Sequence, residues 1–274
     1  MIIDAHQHFW NYNPKEYEWI SDDILRKDFL PINLKPVIKE AGVEGTIAVQ
    51  ARQSISETNY LLQISETNEF VKGVVGWLPI MSINFISLLE TVVNHDKFVA
   101  LRHVIQDESV SDFILSKKFN KGIESLKYFG IAYDILIYEH QLPDTILFID
   151  RHPNQIFILN HIAKPKMCGN INIWAKNLAE LAERNNVYCK LSGMVTEFNH
   201  NNWTIKQLNP YFETCLNVFG ANRLMFGSDW PVCLSKVSYK EWLEIVKEFI
   251  SKLSFDEQSC ILHENATEAY NLKI

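Results

Sequence analysis

Short apolar runs alternate with amphipathic stretches along this chain. Eight runs are nearly continuous in apolar residues, which is typical of strands covered on both faces, as in parallel sheets. These predicted strands lie at 2–8, 45–51, 73–79, 98–104, 131–137, 156–162, 187–193 and 223–229. The stretches between them carry apolar residues at helical spacing, most clearly at Trp242, Ile245, Val246, Phe249, Ile250 and Leu253.

Glycines and serines mark the ends of several predicted helices. Gly42 and Gly130 each follow an amphipathic stretch, where glycine readily takes the left-handed conformation that ends a helix. Two capping boxes, in which a serine and a glutamate three residues later exchange hydrogen bonds, are predicted for Ser238 with Glu241 and Ser254 with Glu257.

The alternation of eight strands with helices predicts an α/β protein, a (β/α)₈ TIM barrel spanning residues 1–274 as a single domain. A doubly wound open sheet is the alternative, but it needs a glycine-rich turn after the first strand, and Asp4 to His8 contains no glycine. Residues 9–31 form a long first βα loop. Its aromatic residues Trp10, Tyr17 and Trp19 predict a packed cover over one end of the barrel.

Composition limits the classes of partner. The chain has 274 residues and a net charge of −7, and it lacks the basic run that a nucleic-acid or membrane-surface site would need. It shows no secretory leader and no apolar run long enough to span a bilayer, so we expect a cytoplasmic protein. The five cysteines lack paired metal-binding spacing and are expected to be reduced thiols buried in the core.

Polar residues gather at the predicted carboxyl ends of the strands, where barrel enzymes keep their chemistry. His6 and His8 share one face of the first strand, because alternate residues of a strand point the same way. Each residue alone has an ordinary structural interpretation, but their common placement favours a site. The further polar or aromatic residues at these ends are Gln50, Arg52, Trp77, Arg102, His103, Asp134, Asn160, His161, Lys164, Lys190, Ser192, Ser228, Asp229 and Trp230.

This set of side chains suits hydrolysis. Imidazoles can hold a divalent cation or donate hydrogen bonds to a carbonyl. Asp229 can take a proton from water and return it to a leaving group. Arg102 and Lys164 can hold an anionic or polyhydroxylated substrate. The sequence contains no phosphate-binding glycine loop, nucleophile elbow or nicotinamide fingerprint.

Several motifs in order resemble the amidohydrolase superfamily, and within it the sugar-lactonase branch of L-fuconolactonase and L-rhamnonolactonase-like proteins. The resemblance covers residues 4–272, and "FGSDWPV" with "CKLSG" is its most specific part. The motifs are "DAHQHFW", "EYEWI", "VQA", "GVVGWL", "LRHV", "NHIAKP", "CKLSGM", "FGSDWPV" and "NATEAYNL".

The resemblance implies a barrel hydrolase that opens a sugar-acid lactone to the free acid. It implies catalytic roles for His6, His8, His161 and Asp229. It also implies at most one divalent ion, with zinc favoured, held by His6, His8 and Asp229 with His161 as a further candidate, because strand 5 has no histidine for a second metal. The ion is expected to be dispensable if the histidines donate hydrogen bonds instead. The expected substrate-binding residues are Arg102, Lys164, Gln50, Trp77, Trp230 and Trp19.

Two other functions stay open at this point. A decarboxylase or hydratase of the same superfamily would act on an unsaturated or aromatic acid and would need a dedicated metal. A barrel that binds a sugar or an acid without turnover is the non-enzymatic alternative. The sequence leaves open the sugar, the oligomeric state, and which of Arg102 and His103 faces the cavity.

Overall fold

Eight parallel strands form a barrel in the computed structural model, which describes residues 1–110, 112–198 and 202–274. The strands pair in chain order, each with the next. The first and last meet through Asp229 N, which donates to His6 O at 2.8 Å, and His8 N, which donates to Trp230 O at 2.7 Å. The strands are β1 Ile3–Gln7, β2 Gly45–Val49, β3 Val71–Gly76, β4 Phe98–Val104, β5 Ala132–Leu136, β6 Phe157–Leu159, β7 Val187–Leu191 and β8 Leu224–Phe226.

Helices follow the strands around the barrel, so the predicted TIM-barrel fold is confirmed. Within the described chain, none of them is both long and apolar enough to cross a membrane. The helices are α1 Pro31–Ala41, α2 Ile55–Thr67, α3 Phe85–Val92, α4 Lys117–Leu126, α5 Leu142–Asp150, α6 Asn172–Ala182, α7 Ile205–Phe219, α8 Tyr239–Ile250, α9 Phe255–Ser259 and α10 Asn265–Ala269.

The apolar residues form two packed groups, one on each face of the strands. The larger lies between the barrel and its helices. The smaller includes inward residues such as Ile47 and Val75, and it extends to Ala266, Ala269 and Tyr270 of the C-terminal segment. The strands are therefore covered on both faces, which explains their continuous apolar sequence.

The predicted helix ends agree with the structure. Gly42 and Gly130 both adopt the left-handed conformation after a helical segment. Ser254 and Glu257 form the complete capping box of α9. Ser238 caps α8 by accepting a hydrogen bond from the Glu241 amide at 3.1 Å, but the described contacts lack the return bond from the Glu241 carboxylate. That second box is therefore only half formed.

Two predicted strands are much shorter in the structure. β6 stops at Leu159 because residues 161–164 all have positive φ, between 44° and 61°. β8 stops at Phe226, two residues before Ser228 turns toward β1. Left-handed backbone is uncommon for residues other than glycine, so the apolar pattern does not reveal such a turn. Both early ends belong to strands that carry predicted site residues.

The first loop packs over the barrel mouth, as its aromatic residues predict. Trp10 and Tyr17 are buried, and Trp10 pairs with Phe29 through two backbone hydrogen bonds of 2.9 Å. Trp19 differs, since it is 44% exposed. Its indole N–H donates to the Ala51 carbonyl at 2.8 Å, which fixes the ring beside the end of β2.

The cysteines are all free thiols, although the expectation that all are buried is wrong. Cys189, Cys215 and Cys233 lie in the core, but Cys168 is exposed and Cys260 is half-buried. The exposed Cys168 lies in the loop before α6, where the apolar packing of the helices no longer covers it.

Candidate active site

Four side chains from opposite ends of the sequence converge at the mouth of the barrel. The Oδ1 atom of Asp229 lies 3.7 Å from His6 Nε2, 3.3 Å from His8 Nε2 and 3.8 Å from His161 Nε2. The Nε2 atoms of His6 and His8 are 3.3 Å apart, so the two histidines do share one face of β1. All four side chains are at least nine-tenths buried.

A left-handed turn after β6 places His161. Its φ of 54° turns the chain away from the strand direction, and its Nδ1 lies 2.8 Å from Ser192 Oγ on the loop after β7. Gly193 faces the same ring, because a Cβ added there would lie 2.6 Å from His161 Cγ. The Ser192 hydroxyl therefore contacts one edge of the imidazole, and the missing side chain of Gly193 leaves room for the ring.

Asp229 also sits on left-handed backbone, with φ of 57°. The preceding Ser228 donates from its N–H and its hydroxyl to the buried Asp4 carboxylate, at 2.8 and 2.6 Å. Tyr239 Oη donates to the same carboxylate at 3.1 Å. Burial raises the pKa of Asp4 to about 6, against the lowering effect of these hydrogen bonds. Asp4 thus anchors the turn that carries Asp229.

Hydrogen bonds orient the two β1 histidines differently. His8 Nδ1 lies 2.7 Å from the Val49 carbonyl, which can only accept, so this nitrogen carries a proton, and in the neutral ring Nε2 has the lone pair. His6 Nδ1 lies 3.2 Å from Lys190 Nζ. When Lys190 is an ammonium it can only donate, which leaves the proton of a neutral His6 on Nε2, facing His8 and Asp229.

A charged network lies beneath His6. Lys190 and Asp134 are completely buried and paired at 2.6 Å. The Asp134 carboxylate also accepts hydrogen bonds from Tyr270 Oη at 2.7 Å and from Asn160 Nδ2 at 2.8 Å. Because the removal of either charge would leave the other unpaired in the interior, this network holds the position of His6 firmly.

Arg102 forms the side of the site next to this network. Its Nη1 atom donates to Asn160 Oδ1 at 3.1 Å and lies 3.4 Å from His6 Nε2, while Nη2 donates to the Gln50 carbonyl. Its Nε is buried without a hydrogen-bond partner among the described residues. Burial lowers the pKa of Arg102, but the guanidinium pKa is so high that the group remains charged at neutral pH.

The surroundings of the site shift the pKa values of Asp229, His161 and His6. Burial alone would raise the pKa of Asp229, but the neighbouring imidazoles of His161 and His8 and the Lys164 ammonium reverse this and lower it below its ordinary value. Burial lowers the pKa of His161 to about 3 and that of His6 well below its ordinary value. At neutral pH the site therefore presents an ionised carboxylate beside the neutral imidazoles of His6 and His161.

A cavity of about 420 Å³ opens above these side chains. His8, His161 and Asp229 line its floor, while Arg102, Lys164 and Trp19, three of the predicted substrate-binding residues, also line it. Lys164 Nζ stands 5.6 Å from the centre of the Tyr138 ring and 3.8 Å from the carboxylate of Glu197. The cavity thus brings together residues from the first loop and from β1, β4, β6 and β8.

The other three predicted substrate-binding residues lie outside the cavity lining. Gln50 is buried and donates to the Arg102 carbonyl at 3.2 Å. Trp77 donates to His103 Nδ1 at 3.1 Å, and Trp230 is 3% exposed and packs on Phe29. The positions of Trp77 and Trp230 therefore do not support stacking of a substrate on either ring, since each ring packs against neighbouring residues outside the cavity.

Arg102, and not its neighbour, faces the cavity. His103 points outward from β4, where its Nε2 lies 2.6 Å from Glu108 Oε1 and its ring stacks on Phe113 at 5.0 Å. Successive residues of a strand point to opposite faces, so only one of the pair can reach the mouth. Both residues are buried, so the contacts of the two side chains, and not their burial, show which one does.

Several cavity residues carry no predicted role. Arg52 stands at a strand end recognised in the sequence, but the loop residues around it follow no periodic pattern. They lie on the first loop and on the loops after β2 and β4, namely Lys15, Glu16, Glu18, Gln53, Gln106 and Asp107. Glu16 and Glu18 belong to the motif "EYEWI", and for the others the only sequence signal is their proximity to strand ends.

The donor set fits a single divalent cation. Ligand atoms of His6, His161 and Asp229 all lie within 4.8 Å of one another. Imidazole nitrogen and carboxylate oxygen are ordinary zinc ligands. His8 also has the usual arrangement of a ligating histidine, because its other ring nitrogen donates to a carbonyl. The ligand set of His6, His8 and Asp229 stays a prediction, with His161 equally close to the carboxylate.

Comparison with known proteins places this barrel in a family. A model of the amidohydrolase family matches residues 3–272. The chain belongs to the amidohydrolase family. The resemblance seen in its motifs is thereby confirmed over nearly its whole length.

The relatives of this amidohydrolase include lactonases. An L-fucono-1,5-lactonase from Burkholderia multivorans is 35% identical over 98% of this chain and 96% of its own, and one from Burkholderia ambifaria is 31% identical over 98% and 95%. A crystal structure of a B. multivorans amidohydrolase with bound zinc superposes with a TM-score of 0.95, at 34% identity and full coverage of both chains.

Proposed function

We propose that this amidohydrolase hydrolyses a sugar-acid lactone to its open acid, with Asp229 moving the protons. The observation that carries the proposal is one ionised carboxylate with three imidazole nitrogens within 3.8 Å, at the floor of a cavity large enough for a sugar ring. The two L-fucono-1,5-lactonases, which cover nearly the whole chain, support the same reaction class.

The proton steps follow from the charge state of Asp229. As a carboxylate it accepts a proton from water while the water oxygen bonds to the lactone carbonyl carbon. The tetrahedral intermediate then breaks its bond to the ring oxygen, and Asp229 returns the proton to that oxygen. The products are a hydroxyl group and a carboxylic acid on one open chain. The acid loses its proton to solvent, and Asp229 is a carboxylate again.

Negative charge develops on the carbonyl oxygen during this step. The donor at hand is the guanidinium of Arg102, which lines the cavity. His6 is completely buried outside the cavity lining, and its Nε2–H faces His8 and Asp229. Fixed donors in a buried site stabilise such charge well, because they need no reorganisation as the charge forms. Arg102 and Lys164 also face the cavity and are placed to hold substrate hydroxyls.

We also propose that the site holds one zinc ion, with ligands drawn from His6, His8, His161 and Asp229. The zinc in the B. multivorans relative and the donor geometry here support it. When bound, the ion would polarise the lactone carbonyl and lower the pKa of a water molecule. An imidazole nitrogen that held the ion could not also donate a hydrogen bond, whereas Asp229 would keep an oxygen to accept a proton and Arg102 would stay a donor.

The alternatives have less support. The curated lactonase relatives favour ester hydrolysis over a decarboxylase or hydratase. The ionised Asp229 among three imidazoles favours turnover over binding alone. We further propose a cytoplasmic location, in keeping with five unpaired cysteines, because reducing compartments preserve free thiols.

A pH-stat assay over a panel of aldonolactones, with and without a chelator, tests the proposal. We expect acid release by the wild-type protein and a fall of about 100- to 10,000-fold in kcat for Asp229→Asn, the usual contribution of a general acid-base residue. Circular dichroism checks that the variant is folded. Near-normal activity of the folded variant would contradict the role of Asp229, and lactone binding without acid release would support the non-catalytic alternative.

A further inference from the structure

One wall of the cavity contains a guanidinium held in one orientation. Arg52 follows β2 and lines the cavity. Its Nε donates to Glu57 Oε2 at 2.8 Å, and its Nη1 is paired with Glu16 Oε2 of the first loop. Its side chain is 21% exposed, which leaves it accessible from the cavity.

Glu57 makes this arrangement rigid. Its carboxylate is completely buried at the start of α2, and it accepts hydrogen bonds from the Ala51 and Arg52 amides as well as from Tyr17 Oη at 3.1 Å. The Arg52 guanidinium also stands 5.3 Å from the centre of the Tyr17 ring. The Arg52 guanidinium is therefore held by two carboxylates and by the Tyr17 ring before any ligand binds.

Among the described residues, the Nη2 edge of the Arg52 guanidinium has no partner and is left for a ligand. Nε and Nη1 are the atoms that meet the two carboxylates, so the Nη2 amino group is the part that can donate into the cavity. Beside it, Trp19 is fixed by its bond to Ala51 and shows 44% of its surface. A planar donor next to an exposed indole suits a ring with one apolar face and hydroxyls at its edge.

We propose that Arg52 is a specificity-determining residue that recognises a ring hydroxyl of the sugar lactone, and that the first loop supports it through Glu16. The inference rests on the proposed lactonase function. It assigns to Arg52 the selection of a lactone that carries ring hydroxyls over one that carries none. Arg52 is remote from proton transfer, because it shares no contact with Asp229 among the described residues. Its contribution is to binding and selectivity.

Arg52→Lys tests this, since it keeps a positive charge beside Glu57 and removes the planar fork. We measure kcat and KM for an aldonolactone and for an unsubstituted six-membered lactone. Charge-assisted hydrogen bonds of this kind predict a loss of about 10- to 100-fold in kcat/KM for the aldonolactone, mainly through KM. The plain lactone, which has no hydroxyl to lose, should be turned over as by the wild type.

Arg184→Lys is the matched control. Arg184 has the same 21% side-chain exposure and is held by Asp150 at 2.8 Å, but it lies between outer helices. The control should leave both substrates unaffected. Equal losses for both lactones in Arg52→Lys would overturn the inference in favour of a structural role, and no loss for either would overturn it as well.

A binding measurement separates this inference from the proposed function. Thermal stabilisation by the open aldonic acid is measured for the wild type and for Arg52→Lys. If the wild type opens no lactone but is stabilised by the acid, and the variant is not, the proposed reaction fails while the recognition role of Arg52 stands. If the wild type neither opens the lactone nor binds the acid, both proposals are overturned.

Discussion

Gly193 offers a sharp test of how the site depends on the position of His161. A Cβ at Gly193 would stand 2.6 Å from His161 Cγ and 3.1 Å from its Cβ, so the imidazole must move in Gly193→Ala. Displacement of a catalytic group by about 1 Å costs about 100-fold in rate. The φ of 64° adds a cost in folding stability of about 1–2 kcal/mol for a residue with a side chain.

Gly130→Ala separates these two effects. Gly130 has a nearly identical φ of 66°, but a Cβ there would meet nothing within 4 Å. We expect Gly130→Ala to lose about 1–2 kcal/mol of the free energy of unfolding in urea from left-handed backbone alone. Gly193→Ala should lose more, because the clash with the buried His161 ring adds to that cost. In the pH-stat assay only Gly193→Ala should lose activity. Wild-type turnover in Gly193→Ala, or an equal loss in Gly130→Ala, would refute the idea that room for His161 controls the site.

Three further predictions concern charge and metal. With chelator present, kcat/KM should be flat from pH 8 to pH 7, because Asp229 has a pKa below its ordinary value and stays ionised while His161, with a pKa of about 3, stays neutral, and because Asp4 beneath the Asp229 turn, with a pKa of about 6, is still a carboxylate there; a falling acidic limb within that range contradicts this charge assignment. Lys190→Met should lower the free energy of unfolding in urea by about 3–5 kcal/mol, because it leaves Asp134 charged and unpaired in the interior. Lys273→Met, which breaks an exposed pair of the same 2.6 Å length, is the control and should leave the urea midpoint unchanged; equal effects of the two would show that burial is not the cause. Zinc added to chelated protein should raise the melting temperature of the wild type more than that of His161→Ala, as measured by differential scanning fluorimetry, and equal shifts would remove His161 from the ligand set.

The sequence by itself determined the barrel and the residues at its mouth. Strands buried on both faces read as continuous apolar runs, and a chain of eight such units has few ways to cover them. Alternation along β1 was enough to place His6 and His8 on one face. Asp229 and His161 could be named because the carboxyl ends of the strands meet at one end of a barrel.

Only the tertiary structure decided how these side chains are held. Residues 161–164 adopt left-handed backbone, which is uncommon for residues other than glycine, so no local propensity predicts this turn. The inward direction of the Arg102 side chain, the packing of Trp77 and Trp230, and the pairing of Arg52 with Glu16 all depend on contacts between segments that are distant in the sequence. Periodicity reports which face of an element is buried, whereas the direction and partner of a polar side chain are set by what lies across the cavity.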